Sequence, residues 1–408
     1  MQRVRGWGIW VGGVKNFMRT IFLLDIDCFF ASVEMARQPE LRGKPLCVGG
    51  RRGDRGIVAC PNYEARAYGV KTAMPLRTAE RILPPDAVFL PGNHKLYGES
   101  SDRVMEILEE FTPDIEQVSI DEAYMDVTGC LHFWPDAERM ATAMKERILS
   151  LCGLSVSIGI ASNKVCAKIA AGLGKPNGLI TVPPGREREF LAPLPVEAVP
   201  GIGLKTRPKL NARGIVTVGD LLTSAWGRET HIGQYLTAVM EGRHESILHS
   251  DRVEQSISRD TTFGEDTVDR EFIRATLYYL AERCCKTLRK RQQQTLTVTV
   301  KLRYADFTTI QRQATLRLPT AHEEDVFSVA YSIFSALLLP RRMIRLVGIK
   351  VSHLLPATGE GSQMELGVVA SEKLGVLYNR LDVLQEKHGY RTIHWGITHT
   401  LDRWKPRE

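Results

Sequence analysis

Carboxylates set inside apolar runs are the feature that most restricts what this chain can fold into. The segment TIFLLDID (20–27) is a continuous apolar run that ends in Asp25 and Asp27, and IEQVSIDEAYMDVT (115–128) carries Asp121 and Glu122. The first reads as a buried strand, the second as strand, tight bend, strand. A buried charge without a partner is costly, so each carboxylate requires one. Taken singly, structural ion pairing supplies it; taken together, a divalent cation competes with that reading. Adjacent residues of an extended strand face opposite ways, so Asp121 and Glu122 serve one site only if the chain bends there. The start of AYMDVT directly afterwards allows that bend. Two hard-oxygen ligands from one strand and two from another suit Mg²⁺. Two such ions about 4 Å apart clamp an in-line phosphoryl displacement.

Around these segments the pattern alternates strands and amphipathic helices. CFFASVEMA follows the first strand at helical spacing. GKPLCVGG (43–50) and GIVACPNYEAR (56–66) read as two strands across the turn RRGDR. Residues 97–111 form an amphipathic helix with Ser100 or Ser101 as its expected N-cap. A second such helix covers 137–151, and LSVSIGIAS (154–162) is a strand that leads into the helix NKVCAKIAAGL. This order fits two helices on one face of a sheet with antiparallel strands. PPGREREFLAPLP (183–195) marks a boundary, and two helices joined by turns follow it. The polar stretch 249–258 reads as a linker. Beyond it come a helix (270–291), two strands, a helix (322–338) and a strand, a second α+β unit. A Gly-rich patch and a last helix complete the tail.

Composition narrows the class. With 43% hydrophobic and 25% charged residues over 408 positions, the chain is globular and long enough for several domains. No run of about 18 apolar residues occurs, so a membrane span is not expected. Residues 1–17 lack the apolar core and cleavage site of a signal peptide, which points to the cytosol. The eight cysteines include no C-x-x-C pair, so they read as reduced, buried thiols. The net charge of +7 is mild, but residues 252–358 hold 17 Lys+Arg against 11 Asp+Glu. That one segment carries nearly the whole excess, which makes a polyanion a reasonable partner.

Three side chains and a turn are candidates for phosphate. Tyr63 and Arg66 are three apart in NYEAR and face one way if that segment is helical. Arg66 offers a planar fork, and Lys164 opens a helix whose backbone N–H groups also favour anions. Each taken alone is equally an ordinary surface cation. VPGIG (199–203), ahead of Lys205, Arg207 and Lys209, has the glycines of a helix–hairpin–helix turn that meets DNA phosphates, or is a plain Pro-Gly turn.

FLLDIDCFFASVE, NYEARAYGV, SIDEAYMDVT and SIGIASNKVCAKIAA, in this order and spacing, resemble the Y-family translesion DNA polymerases, most nearly the bacterial DNA polymerase IV (DinB) type. The resemblance runs from about Arg19 to the end of the chain and implies a right-hand α+β polymerase. A ferredoxin-like palm would span 18–28 and 95–171, small fingers 29–94, and a helix–hairpin–helix thumb 172–248. A linker at 249–257 would lead into an α+β little finger at 252–356, followed by a tail at 357–408. Residues 1–17 would be an extension from an upstream start codon, because relatives begin near Met18.

The resemblance also implies roles. Asp25, Asp121 and Glu122, with the Ile26 carbonyl, would hold two Mg²⁺ ions, and Asp27 would not be a principal ligand. Phe30 would be the steric gate under the incoming sugar, flanked by Phe29. Tyr63, Arg66 and Lys164 would meet the triphosphate. Cys60 stands where many relatives have Thr, which removes one hydroxyl contact. Gly201, Gly203 and Lys205 would track the DNA backbone. QMELG, with Gln363, Met364 and Leu366, is similar to the motif by which bacterial polymerases dock on the sliding clamp, although Gly367 and Val368 replace its usual bulky end. The expected partners are primed template DNA, deoxynucleoside triphosphates and the clamp, with no membrane, and the expected state is a monomer. Two other readings compete. A non-catalytic DNA-binding adaptor would have lost the acidic triad, which is intact here. A nucleotide cyclase would need neither the hairpin nor the basic second unit.

Overall fold

The computed structural model describes residues 19–241, 246–249, 254–337, 342–357, 368–389, 392–393 and 395–401. The expected extension 1–17 and the pentapeptide residues Gln363, Met364 and Leu366 lie outside these. The chain divides into two compact units, 1–251 and 252–408.

In the first unit β1 (Ile21–Ile26) leads through Cys28, in the left-handed region at φ 37°, into α1 (Phe29–Arg37). Next come β2 (Leu46–Val48), β3 (Cys60–Pro61), α2 (Tyr63–Ala67), α3 (Leu76–Ile82) and β4 (Val88–Leu90). The order β3-β2-β4 makes a small three-stranded sheet. Then follow α4 (His94–Glu109), β5 (Ile115–Gln117), β6 (Glu122–Asp126), α5 (Ala137–Cys152), β7 (Val156–Ala161), α6 (Lys164–Gly174) and β8 (Leu179–Thr181). The large sheet runs β5-β6-β1-β7-β8, with β1 antiparallel to both neighbours.

This central position explains the unbroken apolar run at 20–27. Phe22, Leu24 and Ile26 enter a core shared with α1, α4 and α5, whereas Ile21 and Leu23 enter a second core shared with α6. A strand buried on both faces has no polar side to alternate with. The second core continues into a helical segment: α7 (Glu187–Leu191), α8 (Arg207–Asn211), α9 (Val218–Thr223), α10 (Ala225–Glu229) and α11 (His231–Met240). Leu191, Val199, Ile202, Leu210, Leu221 and Leu236 all bury into it.

Two expectations are corrected here. Helix α4 starts earlier than the serines: Asn93 is its N-cap, its side chain accepting from the Leu96 amide at 3.1 Å. Ser100 sits inside the helix, donating to the Leu96 carbonyl at 2.8 Å, and Ser101 is buried. The segment 56–66 is one short strand followed by a helical turn, not a single strand, because Asn62 caps α2 through the Ala65 amide. The sheet also extends past 171, since β8 pairs in parallel with β7.

The second unit comprises β9 (Ser256–Thr267), α12 (Arg270–Lys290), β10 (Gln293–Tyr304), β11 (Thr309–Thr320), α13 (Glu323–Leu337), β12 (Ile344–Pro356) and α14 (Val368–His388). Its antiparallel sheet runs β11-β10-β12-β9. Val298, Val300, Leu302, Val347, Ile349 and Val351 face the core under α12 and α13. The alternate positions Lys301, Arg303 and Lys350 lie on the other face. Strand β9 begins within the stretch that reads as a linker. It is an edge strand with Ile257 and Phe263 as its buried apolar residues. Helix α14 is tied to α12 by Arg289, whose Nε donates to Asp382 at 2.7 Å and whose other nitrogen meets Glu323 at 2.7 Å.

Helix α6 crosses β7 with almost no space at Gly159. A methyl group there would overlap the Ala167 carbonyl and lie 2.5 Å from the Ala171 amide. Gly159→Ala is therefore expected to destabilise the first unit by about 3 kcal/mol, the upper end of the usual overpacking cost, read as a lowered urea-unfolding midpoint.

Candidate active site

The ends of β1 and β6 bring the carboxylates together. Asp25 pairs directly across from Glu122 in the strand register. The Ile26 amide donates to the Asp121 carbonyl at 2.9 Å, which fixes the bend before β6 against the end of β1. Asp121 lies in that bend, its carboxylate accepting from the Ser119 hydroxyl at 2.5 Å. Burial pushes the Asp25 carboxyl up to about 6; Lys175 opposes this, and the negative charges of Glu122 and Asp121 add to the rise.

Asp27 is a different kind of group. It is 1% exposed and accepts from Ser155 Oγ at 2.7 Å, Ser157 Oγ at 2.8 Å, the Asn177 amide at 2.7 Å and the Tyr63 hydroxyl at 3.3 Å. A carboxylate with four donors is satisfied without a metal ion. It ties β7, the turn after α6 and α2 to the end of β1.

As they stand, two of the acidic groups are paired with lysines. Lys175 Nζ contacts Asp25, and Lys168 Nζ lies 2.7 Å from Glu122 Oε1. Among the described residues no three His, Cys, Asp or Glu side chains stand close enough to enclose a metal ion. The expected ready-made triad is thus a set of neighbouring carboxylates with two ammonium counterions. The donor set still fits Mg²⁺: the ligands are all hard oxygens, and three carboxylates face two ammonium groups, a negative excess that a divalent ion offsets.

Phe30 stacks on Tyr97, with ring centroids 4.4 Å apart and planes 15° from parallel, and meets the edge of His94 at 5.9 Å. Phe29 is buried beside it at 5.5 Å. Tyr97 is itself fixed, donating to Glu34 at 2.7 Å. Helix α2 places Tyr63 and Arg66 one turn apart, the guanidinium 5.3 Å from the Tyr63 ring centre and its Nε donating to the Pro61 carbonyl at 3.1 Å. Burial raises the thiol of Cys60 above its ordinary range and that of Cys28 to about 11, so neither is a ready nucleophile.

Lys164 is engaged within the protein. Its ammonium contacts the buried Glu116 and donates to the Ile247 carbonyl at 2.7 Å. A Glu side chain only 2% exposed holds its cation, since parting a buried pair leaves an unpaired charge. The lysine beside Asp25 is Lys175, in the turn GKPNG (174–178). Sequence reasoning also missed Lys168, one turn after Lys164 on the same helix face, although that spacing was visible, and it missed Tyr97, which reads as core. Gly201 takes φ +98°, and both hairpin glycines are exposed, as is Lys205.

Comparison with known proteins agrees with this architecture. Residues 24–172 match the impB/mucB/samB family, 254–366 its C-terminal domain, and 184–215 the IMS family HHH motif. The chain is 40% identical to a DNA polymerase IV of Dehalococcoides mccartyi, over 94% of this chain and 98% of the relative. It is 36% identical to that of Desulfatibacillum aliphaticivorans, over 91% and 95%. Among solved structures, a Y-family DNA polymerase chimera of Dbh and Dpo4 superposes with a TM-score of 0.74 at 30% identity, covering 83% of this chain and 99% of that one. The crystal structure of DinB from Sulfolobus solfataricus gives 0.55 at 30%, over 82% and 98%. The chain belongs to the Y-family DNA polymerases of the DNA polymerase IV type. Its palm, fingers, thumb and separate C-terminal little finger are the α+β fold of that family, and its activity is template-directed, error-prone translesion DNA synthesis.

The four bonds to Asp27 give a test of its structural role. Asp27→Asn replaces one accepting oxygen by a donor facing other donors. The substitution is expected to cost about 2–3 kcal/mol, seen as a lower thermal midpoint that added Mg²⁺ does not restore.

Proposed function

We propose that polymerisation takes place at Asp25, Asp121 and Glu122, and that these residues, with the Ile26 carbonyl, hold two Mg²⁺ ions. The observation that supports this most directly is the register pairing of Asp25 with Glu122, with Asp121 pinned beside them. Bound there, Mg²⁺ lowers the pKa of the primer 3′-hydroxyl and stabilises the departing pyrophosphate. The protein's part is positioning and charge, which carry phosphoryl transfer. Tyr63 and Arg66 face the triphosphate. We assign its third contact as Lys175 in place of Lys164, because the ammonium of Lys175 already stands beside Asp25. Cys60 lines the same place without a hydroxyl to offer. Phe29 and Phe30 lie under the incoming sugar, and the stack on Tyr97 keeps the Phe30 ring from yielding.

Deoxynucleoside triphosphates and primed DNA are the substrates. Gly201, Gly203 and Lys205 on the hairpin, and the helix-free face of the second unit with Lys301, Arg303 and Lys350, grip backbone phosphates without reading bases. The bacterial cytosol is the proposed setting, a monomer the working state, and a sliding clamp the partner of Gln363, Met364 and Leu366.

Primer extension tests the centre of this reading. Asp121→Asn is expected to lower extension by about 10²–10³-fold, the scale of losing one preorganised electrostatic group, with DNA binding retained in an anisotropy titration. Equal activity of the two proteins would remove Asp121 from the site.

Phe30→Ala is expected to admit ribonucleotides, measured as the ratio of ribo- to deoxynucleotide incorporation in single-nucleotide assays. An unchanged ratio would take the gate away from Phe30.

A further inference from the structure

A cleft of about 510 Å³ lies between α6 and the 199–203 hairpin; the function just described uses the hairpin glycines but gives Lys168, on the opposite wall, no role. Ile169, Leu173, Val199 and Ile202 supply its apolar wall, and Lys168 is its cation. The same ammonium holds Glu122, 2.7 Å from Oε1. The Lys168 side chain is 34% exposed, so its ammonium faces solvent as well as Glu122. Across the cleft, nothing lies within 4 Å of where a Cβ on Gly201 or Gly203 would sit. Among the described residues, the amides of these two glycines donate to no protein acceptor. The carboxylate on the cleft wall, Glu197, pairs with Arg207 at 3.5 Å.

Charge balance gives Lys168 two stable partners. Without a cation at the site, the ionised Glu122 is its best one. Once Glu122 is committed to a cation, its charge is compensated, and Lys168 is left positive at the lip of an open cleft with unused backbone donors opposite. A singly charged phosphodiester oxygen fits between an ammonium and such amides. We infer that Lys168 is a positioning residue that exchanges partners: Glu122 in the cation-free protein, and a DNA backbone phosphate in this cleft once Glu122 is engaged. The exchange would make the grip on DNA follow occupancy of the acidic site. It rests on the assignment of Glu122 as a metal ligand in a DNA polymerase.

A double-variant cycle in EDTA tests the exchange without any metal-dependent turnover. The probe is a fluorescent primed template, its binding followed by anisotropy across a salt series. Lys168→Gln alone should bind like the wild type, because the lysine is occupied by Glu122. Glu122→Gln frees the lysine and should bind more tightly. Adding Lys168→Gln to Glu122→Gln should weaken binding about tenfold and reduce the salt slope by about one, the signature of one lost phosphate contact. Lys168→Arg in the same background should retain the gain. Thermal melts identify any variant that fails to fold, and the arginine pair then carries the comparison. If the double variant binds like Glu122→Gln with the same slope, Lys168 is only a structural partner of Glu122 and the inference fails. A wild-type protein that neither binds primed DNA nor extends it with Mg²⁺ would instead overturn the functional reading beneath.

Discussion

The placement of β1 between β6 and β7 is the constraint on which the first unit depends. The strand is hydrogen-bonded on both edges and buried on both faces, so it feeds two cores with alternate side chains. Its last residues emerge from that double burial as carboxylates. Asp25 faces Glu122 across the β1–β6 register because both strands are fixed by apolar packing upstream. Asp27, two residues on, is closed in by four donors and locks the strand end to β7, to α2 and to the turn after α6. The partly open carboxylate of Asp25 is thus held in place by a neighbouring one whose acceptors are taken up within the protein.

The electrostatics of the site follow from the same geometry. Helix α6 lies across the sheet at Gly159, and this contact brings its lysines over the acidic strand ends. Lys164 meets Glu116, Lys168 meets Glu122, and Lys175, just past the helix, meets Asp25. The three pairs differ in burial. Glu116 is sealed from solvent and keeps its partner. The Lys168–Glu122 pair is the most open of the three, and parting a more exposed pair costs less than parting a buried one. Helix α6 and the residue that follows it therefore supply three ion pairs that differ in burial.

Much of the fold was legible because hydrophobic periodicity reports burial directly. β1, β7, α5 and α12 announce themselves by unbroken or helical apolar spacing, and four short motifs pointed to the family and to the acidic site. Strand β9 was not legible: an edge strand with a largely solvent-facing surface needs few apolar residues, and its polar start reads as linker. The N-terminus of α4 was misplaced because Ser100 and Asn93 are both good caps in isolation. The bond from the Leu96 amide to the Asn93 side chain places the start, and Ser100 instead bonds back to the Leu96 carbonyl within the helix.

By itself, the sequence determined which element types form, that β1 is buried, that acidic residues lie at strand ends, and that cations concentrate in the second unit. Tertiary structure alone decided which lysine serves which carboxylate. Lys164 and Lys175 are indistinguishable as cations in the sequence, yet one is committed to a buried glutamate and the other pairs with Asp25 at the end of β1. Ion pairing depends on distances through space, which the crossing of α6 over the sheet and the turn at 174–178 set. Helical spacing fixes only the face on which a side chain starts.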